Sequence, residues 1–205
     1  NDGSIEKFKL DTRKLKYIKK ISLINLKKNS GNQKAIFIGL KYLQKKIKKI
    51  NSKDIISILD SDGEDNPNKL IRLIRLVDQK KDFFVFARRL KRTENIFLKI
   101  LNVTRLMINS ILIGKSINFG NFSSFSLKTL NNLLINDNLH LAYSSGVLKN
   151  YKNILFLDID KKKRYFGNSK VNFFFLINHS IKIISVFYKK VFLRTFFLLI
   201  LFLFF

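Results

Sequence analysis

An α/β domain with a mostly parallel sheet flanked by helices, behind a basic N-terminal extension, is the fold this sequence predicts. Three observations carry it. Strand-like and helix-like runs alternate along the chain, the order that builds a parallel sheet with helices on both sides. One run, KNILFLDID (152–160), is continuously apolar through Ile154, Leu155, Phe156 and Leu157, as a strand buried on both faces is. The 205 residues suffice for one α/β domain with a sizeable core.

Residues 1–34 are polar and basic with scattered apolar positions and read as an extension. QKAIFIGLKYL (33–43) is a buried strand or helix, continued by a basic stretch. DIISILDSDGEDNP (54–67) is a short apolar run followed by the one acidic loop, marked by Pro67 and its Asn/Asp/Gly cluster. NKLIRLIRLVDQ (68–79) spaces Leu70, Ile71, Leu73, Ile74 and Val77 as a helix does, with Asn68 or a neighbour as its cap. DFFVFA (82–87) is a strand, and ARRLKRTENIFLKILN (87–102) opens a helix with basic first turns. VTRLMINSILIG (103–114) reads as a strand or the end of that helix, NFGNFSSFS (118–126) as a loop, and SLKTLNNLLIND (126–137) as helical. After the strand at 152–160 come a basic loop, a strand in VNFFFLIN (171–178) and a helix in SIKIISVFYKKVFLRTF (180–196). The domain is expected over 35–190, with an apolar tail over 191–205.

The tail TFFLLILFLFF (195–205) is only about half the roughly 20 residues that span a bilayer. Lengthening it backward would bury Lys189, Lys190 and Arg194. It is therefore expected to be a buried helix end or a contact with a neighbouring protein, with membrane contact not favoured.

Forty Lys and Arg against fourteen Asp and Glu leave a formal charge of +26, more than solubility requires. A pI near 10.3 points to a polyanionic partner, nucleic acid first. The charge is spread between apolar runs rather than gathered on one recognition helix. No cysteine is present, which excludes disulfides and thiolate chemistry, and His140 and His179 stand apart without ligand spacing. No metal or other cofactor is expected. Asp158 and Asp160 are read as strand-ending solvent residues rather than a Mg²⁺ pair.

Gly114, Lys115 and Ser116 match the end of a phosphate-binding loop. The glycine such a loop needs five residues earlier is Asn109. The bulky Ile111, Leu112 and Ile113 cannot take the backbone shapes of that cradle without strain. A strand ending in a turn, with Lys115 exposed, is the reading that remains.

Several landmarks occur in one order: AIFIGLK (35–41), DIISILD (54–60), FFVFARRLKR (83–92), NFGNFSSFSLKTL (118–130), KNILFLDID (152–160) and FLINHSIKIIS (175–185). In this order the chain resembles the bacterial-type S-two family of small-subunit ribosomal proteins in a drifted organellar form. Gly120, Lys128 and Thr129 fit one family stretch and Asn178, Ser180, Ile181 and Ile184 another, while both tryptophans of the family are absent.

The resemblance implies a flavodoxin-like sheet, no catalysis, and small-subunit rRNA and other ribosomal proteins as partners. The Ile, Lys, Asn and Phe bias suits an A/T-rich organellar gene, so a mitochondrial ribosome is the expected location. The residues expected on RNA are Lys45, Lys46, Lys48, Lys49, Arg88, Arg89, Lys91, Arg92, Lys115, Lys128, Lys161, Lys162, Lys163 and Arg164. Arg binds phosphate bidentately and Lys as a point charge. A basic accessory subunit of an organellar membrane complex, seated by the tail, is the second reading.

Overall fold

The computed structural model describes residues 1–3, 17–47, 51, 53–89, 96–135, 137–160 and 172–204. Seven helices and four strands are seen among them: α1 (Asn32–Lys46), β1 (Ile55–Ile58), α2 (Pro67–Gln79), β2 (Phe84–Arg89), α3 (Ile96–Ile113), β3 (Ser123–Ser126), α4 (Leu130–Leu134), α5 (Tyr143–Asn150), β4 (Ile154–Ile159), α6 (Phe173–Val186) and α7 (Tyr188–Phe204). Two short 3-10 turns, Leu127–Thr129 and Asp137–His140, flank α4.

The α/β class with helices on both faces is borne out; the mostly parallel sheet is not. The sheet is mixed, in the order β1-β3-β2-β4. Strand β3 runs antiparallel to both β1 and β2, while β2 and β4 are parallel with Arg88 beside Asp158. The physical cause lies in NFGNFSSFS, whose small polar residues read as a loop. Ser124 pairs its hydroxyl with that of Ser57 on β1 at 2.8 Å, and Phe125 turns inward to stack on Phe84 at 4.7 Å between ring centres. Cross-strand pairing and burial thus override a weak strand propensity.

Two layers of core sandwich the sheet. Leu73 and Val77 of α2 pack with Val85, Ala87 and Ile159 on one face. Phe84, Phe86 and Phe125 face the other layer, with Leu133, Tyr143, Val147 and Ile183. The alternation of Phe84, Phe86 with Val85, Ala87 is the period-two consequence of strand geometry. Helix α2 starts where the sequence places it, because Asn66 caps it by accepting from the Asn68 amide at 3.0 Å and Pro67 occupies the first turn.

Three further expectations are corrected. Of the two readings of 103–114 the helix end holds, since residues 103–113 close α3, whereas VNFFFLIN enters α6 from Phe173 and is not a strand. Three adjacent phenylalanines favour a strand locally, but Asn172 caps a helix there by accepting from the Phe175 amide at 2.8 Å. Helix α3 is seen from Ile96 rather than from the basic residues at 88–92; Arg88 and Arg89 still belong to β2. The tail is α7, none of whose residues is buried, so the buried helix end is overturned. Among the described residues no helix is long and apolar enough to cross a membrane.

The Gly114-Lys115-Ser116 stretch follows a helix rather than a strand. Gly114 has φ 74° and donates to the Ser110 carbonyl at 2.7 Å, ending α3 in the left-handed turn that glycine favours. A Cβ there would run into the Arg194 guanidinium. Gly114→Ala should therefore cost about 1–3 kcal/mol, from the left-handed backbone and the displaced arginine. A urea titration of the variant checks this.

Candidate functional site

Strands β1, β2 and β4 share one direction, so their carboxyl ends lie along one edge of the sheet. Ligands of open α/β sheets bind outside such ends. From β1 to β4 the edge covers three strand spacings, roughly 14 Å.

At the end of β1 the chain turns through Asp60, Asp62, Glu64 and Asp65. Glu64 and Asp65 are buried, at 6% and 3% exposure, so their carboxylates require partners. Asp65 accepts from the Asp60 amide at 2.9 Å and Asp62 from the Glu64 amide at 3.0 Å, with Gly63 in the left-handed region at φ 85°. The loop is folded on its own carboxylates, which fixes where Asp60 points.

Helix α1 delivers its first turn to the same place. Asn32 donates to the Asp60 carboxylate at 2.9 Å, and Gln33 donates to the Asn121 side chain at 3.2 Å. Gln33 in turn accepts from the Tyr143 amide at 2.7 Å, which brings the start of α5 in. Tyr143 is fully buried, its hydroxyl 3.0 Å from that of Ser123, and burial pushes its pKa up. The starts of α1, α2 and α5 therefore meet at this edge, each with the positive end of its dipole toward it; the first amides of α2 and α5 are already held by Asn66 and Gln33.

Across the sheet, Arg88 at the end of β2 donates to Asp158 on β4 through two nitrogens, at 2.7 and 3.0 Å. Both side chains are about two-fifths exposed. The guanidinium sits 5.6 Å from the Phe156 ring centre and has further N–H donors besides the two given to Asp158. The hydrogen bond from Arg88 holds the Asp158 carboxyl below its ordinary range, and Asp158 raises Arg88. A depressed carboxyl keeps the pair intact at and above the ordinary carboxylate range. The pair is lost as pH falls through the lowered value. Ligand affinity that depends on Arg88 orientation should be flat at and above the ordinary carboxylate range and fall only below it, as Asp158 takes up its proton; a binding titration carried down through that range checks it.

The residues expected on RNA scatter. Lys45 and Lys46 are exposed in the last turn of α1, far along that helix from its Asp60 end, and Lys128 is exposed in the turn after β3. Lys115 is half-buried rather than exposed, donating to the Leu148 carbonyl at 3.0 Å, with its pKa lowered by burial and by Lys190. Arg89 ends β2. Lys48, Lys49, Lys91, Arg92, Lys161, Lys162, Lys163 and Arg164 lie outside the described residues. Among the described residues of the set, Arg88 is the one at the carboxyl edge whose partner is seen. Asp158, read as a solvent residue, is that partner.

Asn32, Gln33, Asp60 and Asn121 went unread as site residues. The acidic loop at the end of an apolar run was the one available signal. Among the described residues no three His, Asp or Glu side chains form a metal-holding group. His140 and His179 pack near Phe37 and Phe175.

The sequence profile of Glycosyl transferase family 2 matches residues 1–148 of the chain. No curated protein matches it. This overturns the ribosomal resemblance and, with it, the rRNA and ribosomal partners, the translation role and the non-catalytic reading; the membrane-complex subunit is not supported either. Short apolar strands ending in acids or arginines recur throughout α/β folds, and a chain rich in Ile, Lys, Asn and Phe supplies them in many orders. The match covers the acidic loop, Arg88 and the first three strands, and it makes the carboxyl edge of the sheet the place to seek chemistry: the chain belongs to glycosyl transferase family 2.

Proposed function

We propose that the chain transfers a sugar from a nucleotide-sugar donor to an acceptor, with the donor lying along the carboxyl edge of the sheet. The observation that carries this is the meeting of Arg88–Asp158, the Asp60–Asp65 loop and three helix starts on one edge. The chemistry asks for that combination. The acceptor hydroxyl oxygen bonds to the anomeric carbon as the bond from that carbon to the diphosphate breaks; the hydroxyl proton is released, and the leaving nucleoside diphosphate gains negative charge. A fixed guanidinium and helix amide ends stabilise that charge where it develops. The Asp60 carboxylate, held by Asn32, has acceptor sites suited to ribose hydroxyls. Transfer to an acceptor hydroxyl needs no protein nucleophile, and the chain has no cysteine that could serve as one.

The test is direct. The purified chain is incubated with a panel of nucleoside diphosphate sugars, and release of nucleoside diphosphate is followed with and without candidate acceptors. Saturable binding of a donor, with release that Asp60→Ala abolishes, supports the reading. No binding of any donor across the panel sinks it.

A further inference from the structure

Between α1 and β1, residues 20–24 line an open groove of about 520 Å³ that runs the length of β1 to Ile58 and Leu59. Its walls are Leu40 and Leu43 of α1, Ile56 and Ile58 of β1, and Ile24 from the overlying segment. Lys20 and Lys46 line it, and no carboxylate does. A smaller hollow of about 190 Å³ continues it under the same segment, sharing Ser22, Ile24 and Gly39.

Gly39 is the second observation. It stands in the middle of α1, where glycine weakens a helix relative to any residue with a Cβ. A Cβ placed there meets nothing within 4 Å, so no packing explains the glycine. It faces both hollows, and its missing side chain widens them.

We infer that this groove binds a single-chain anionic amphiphile, a fatty-acyl carboxylate. Aliphatic walls take the chain, and the two ammonium groups take the carboxylate. The volume lies within the range of small-ligand pockets, roughly 300–1,000 Å³. A second copy of the chain fits poorly, because a charge of +26 on each opposes their approach. The inference goes beyond glycosyl transfer and does not rest on it.

The full chain is titrated with the fluorescent fatty acid cis-parinarate, which is then displaced by palmitate or hexadecanol. Palmitate should displace the probe saturably, and hexadecanol much more weakly. Gly39→Leu fills the groove with a good helix former, so the fold is kept; it should weaken palmitate about tenfold or more, the equivalent of a few unburied methylenes. Its thermal transition, recorded alongside, should not fall. The double variant Lys20→Gln/Lys46→Gln should weaken palmitate and leave hexadecanol unchanged. Binding by Gly39→Leu equal to that of the parent, or hexadecanol competing as well as palmitate, overturns the inference. Either failure leaves donor binding at the carboxyl edge untouched, so the two readings fail separately.

Discussion

Arg88→Ala should reduce sugar transfer by about 10²–10³-fold, the usual cost of removing one fixed group that stabilises charge in a transition state. The loss should fall on turnover more than on donor affinity, because the charge on the leaving diphosphate grows as the bond breaks. Stability should barely change. The Arg88–Asp158 pair is open to solvent, and such pairs contribute little to folding. Arg88→Lys should recover only part of the rate, since an ammonium cannot hold Asp158 through two nitrogens and offer planar donors at once. The measurement is steady-state transfer with the best donor, set beside urea unfolding of each variant. Parent-like turnover in Arg88→Ala would remove Arg88 from the chemistry. A large stability loss in the same variant would mean that the pair serves the fold instead.

Phe86→Ala should destabilise the domain by about 3–5 kcal/mol, through lost transfer energy and the cavity left behind. Phe86 is fully buried in the centre of β2. Its ring lies 4.8 Å from Phe119, 6.0 Å from Tyr143 and 6.5 Å from Phe156, between ring centres. These partners come from the loop before β3, from α5 and from β4, so no single one can close the gap without moving the sheet. A loss of that size is a third or more of the roughly 5–15 kcal/mol that holds a typical domain. It should appear as a lower urea midpoint with little change in slope. Phe86 lies two residues before Arg88 on the same strand face, so transfer should fall as well, and cooling should recover part of it. Phe86→Leu keeps most of the volume and should cost less than half as much.

Several elements were legible because their cause is local. Helix α2 follows from its apolar spacing, the Asn66 cap and Pro67. Strand β4 follows from an unbroken apolar run ending at acids, though it lies at the sheet's edge and is part-exposed rather than buried on both faces. The turn at 60–66 follows from Gly63 and the acids around it. Each is decided within a few residues, and the α/β class follows from their alternation. The absence of cysteine and the charge of +26 are also matters of sequence alone. The charge, however, named a kind of partner and not an activity, and it led toward RNA where the family match leads to a sugar donor.

What the tertiary structure decided is everything that joins distant residues. NFGNFSSFS becomes β3 because β1 and β2 offer it hydrogen bonds and a place for Phe125. VNFFFLIN becomes part of α6 because the Asn172 cap starts a helix whose Leu176, Ile183 and Val186 are buried. Arg88 and Asp158 stand 70 residues apart, Asn32 and Asp60 28 apart, and Gln33 and Tyr143 110 apart. No spacing rule links such pairs. They meet because strand register sets neighbours across the sheet and helix packing brings α1 and α5 to its edge. The sequence determines which short segments turn, coil or extend; pairing and burial of the whole chain determine which side chains share a site.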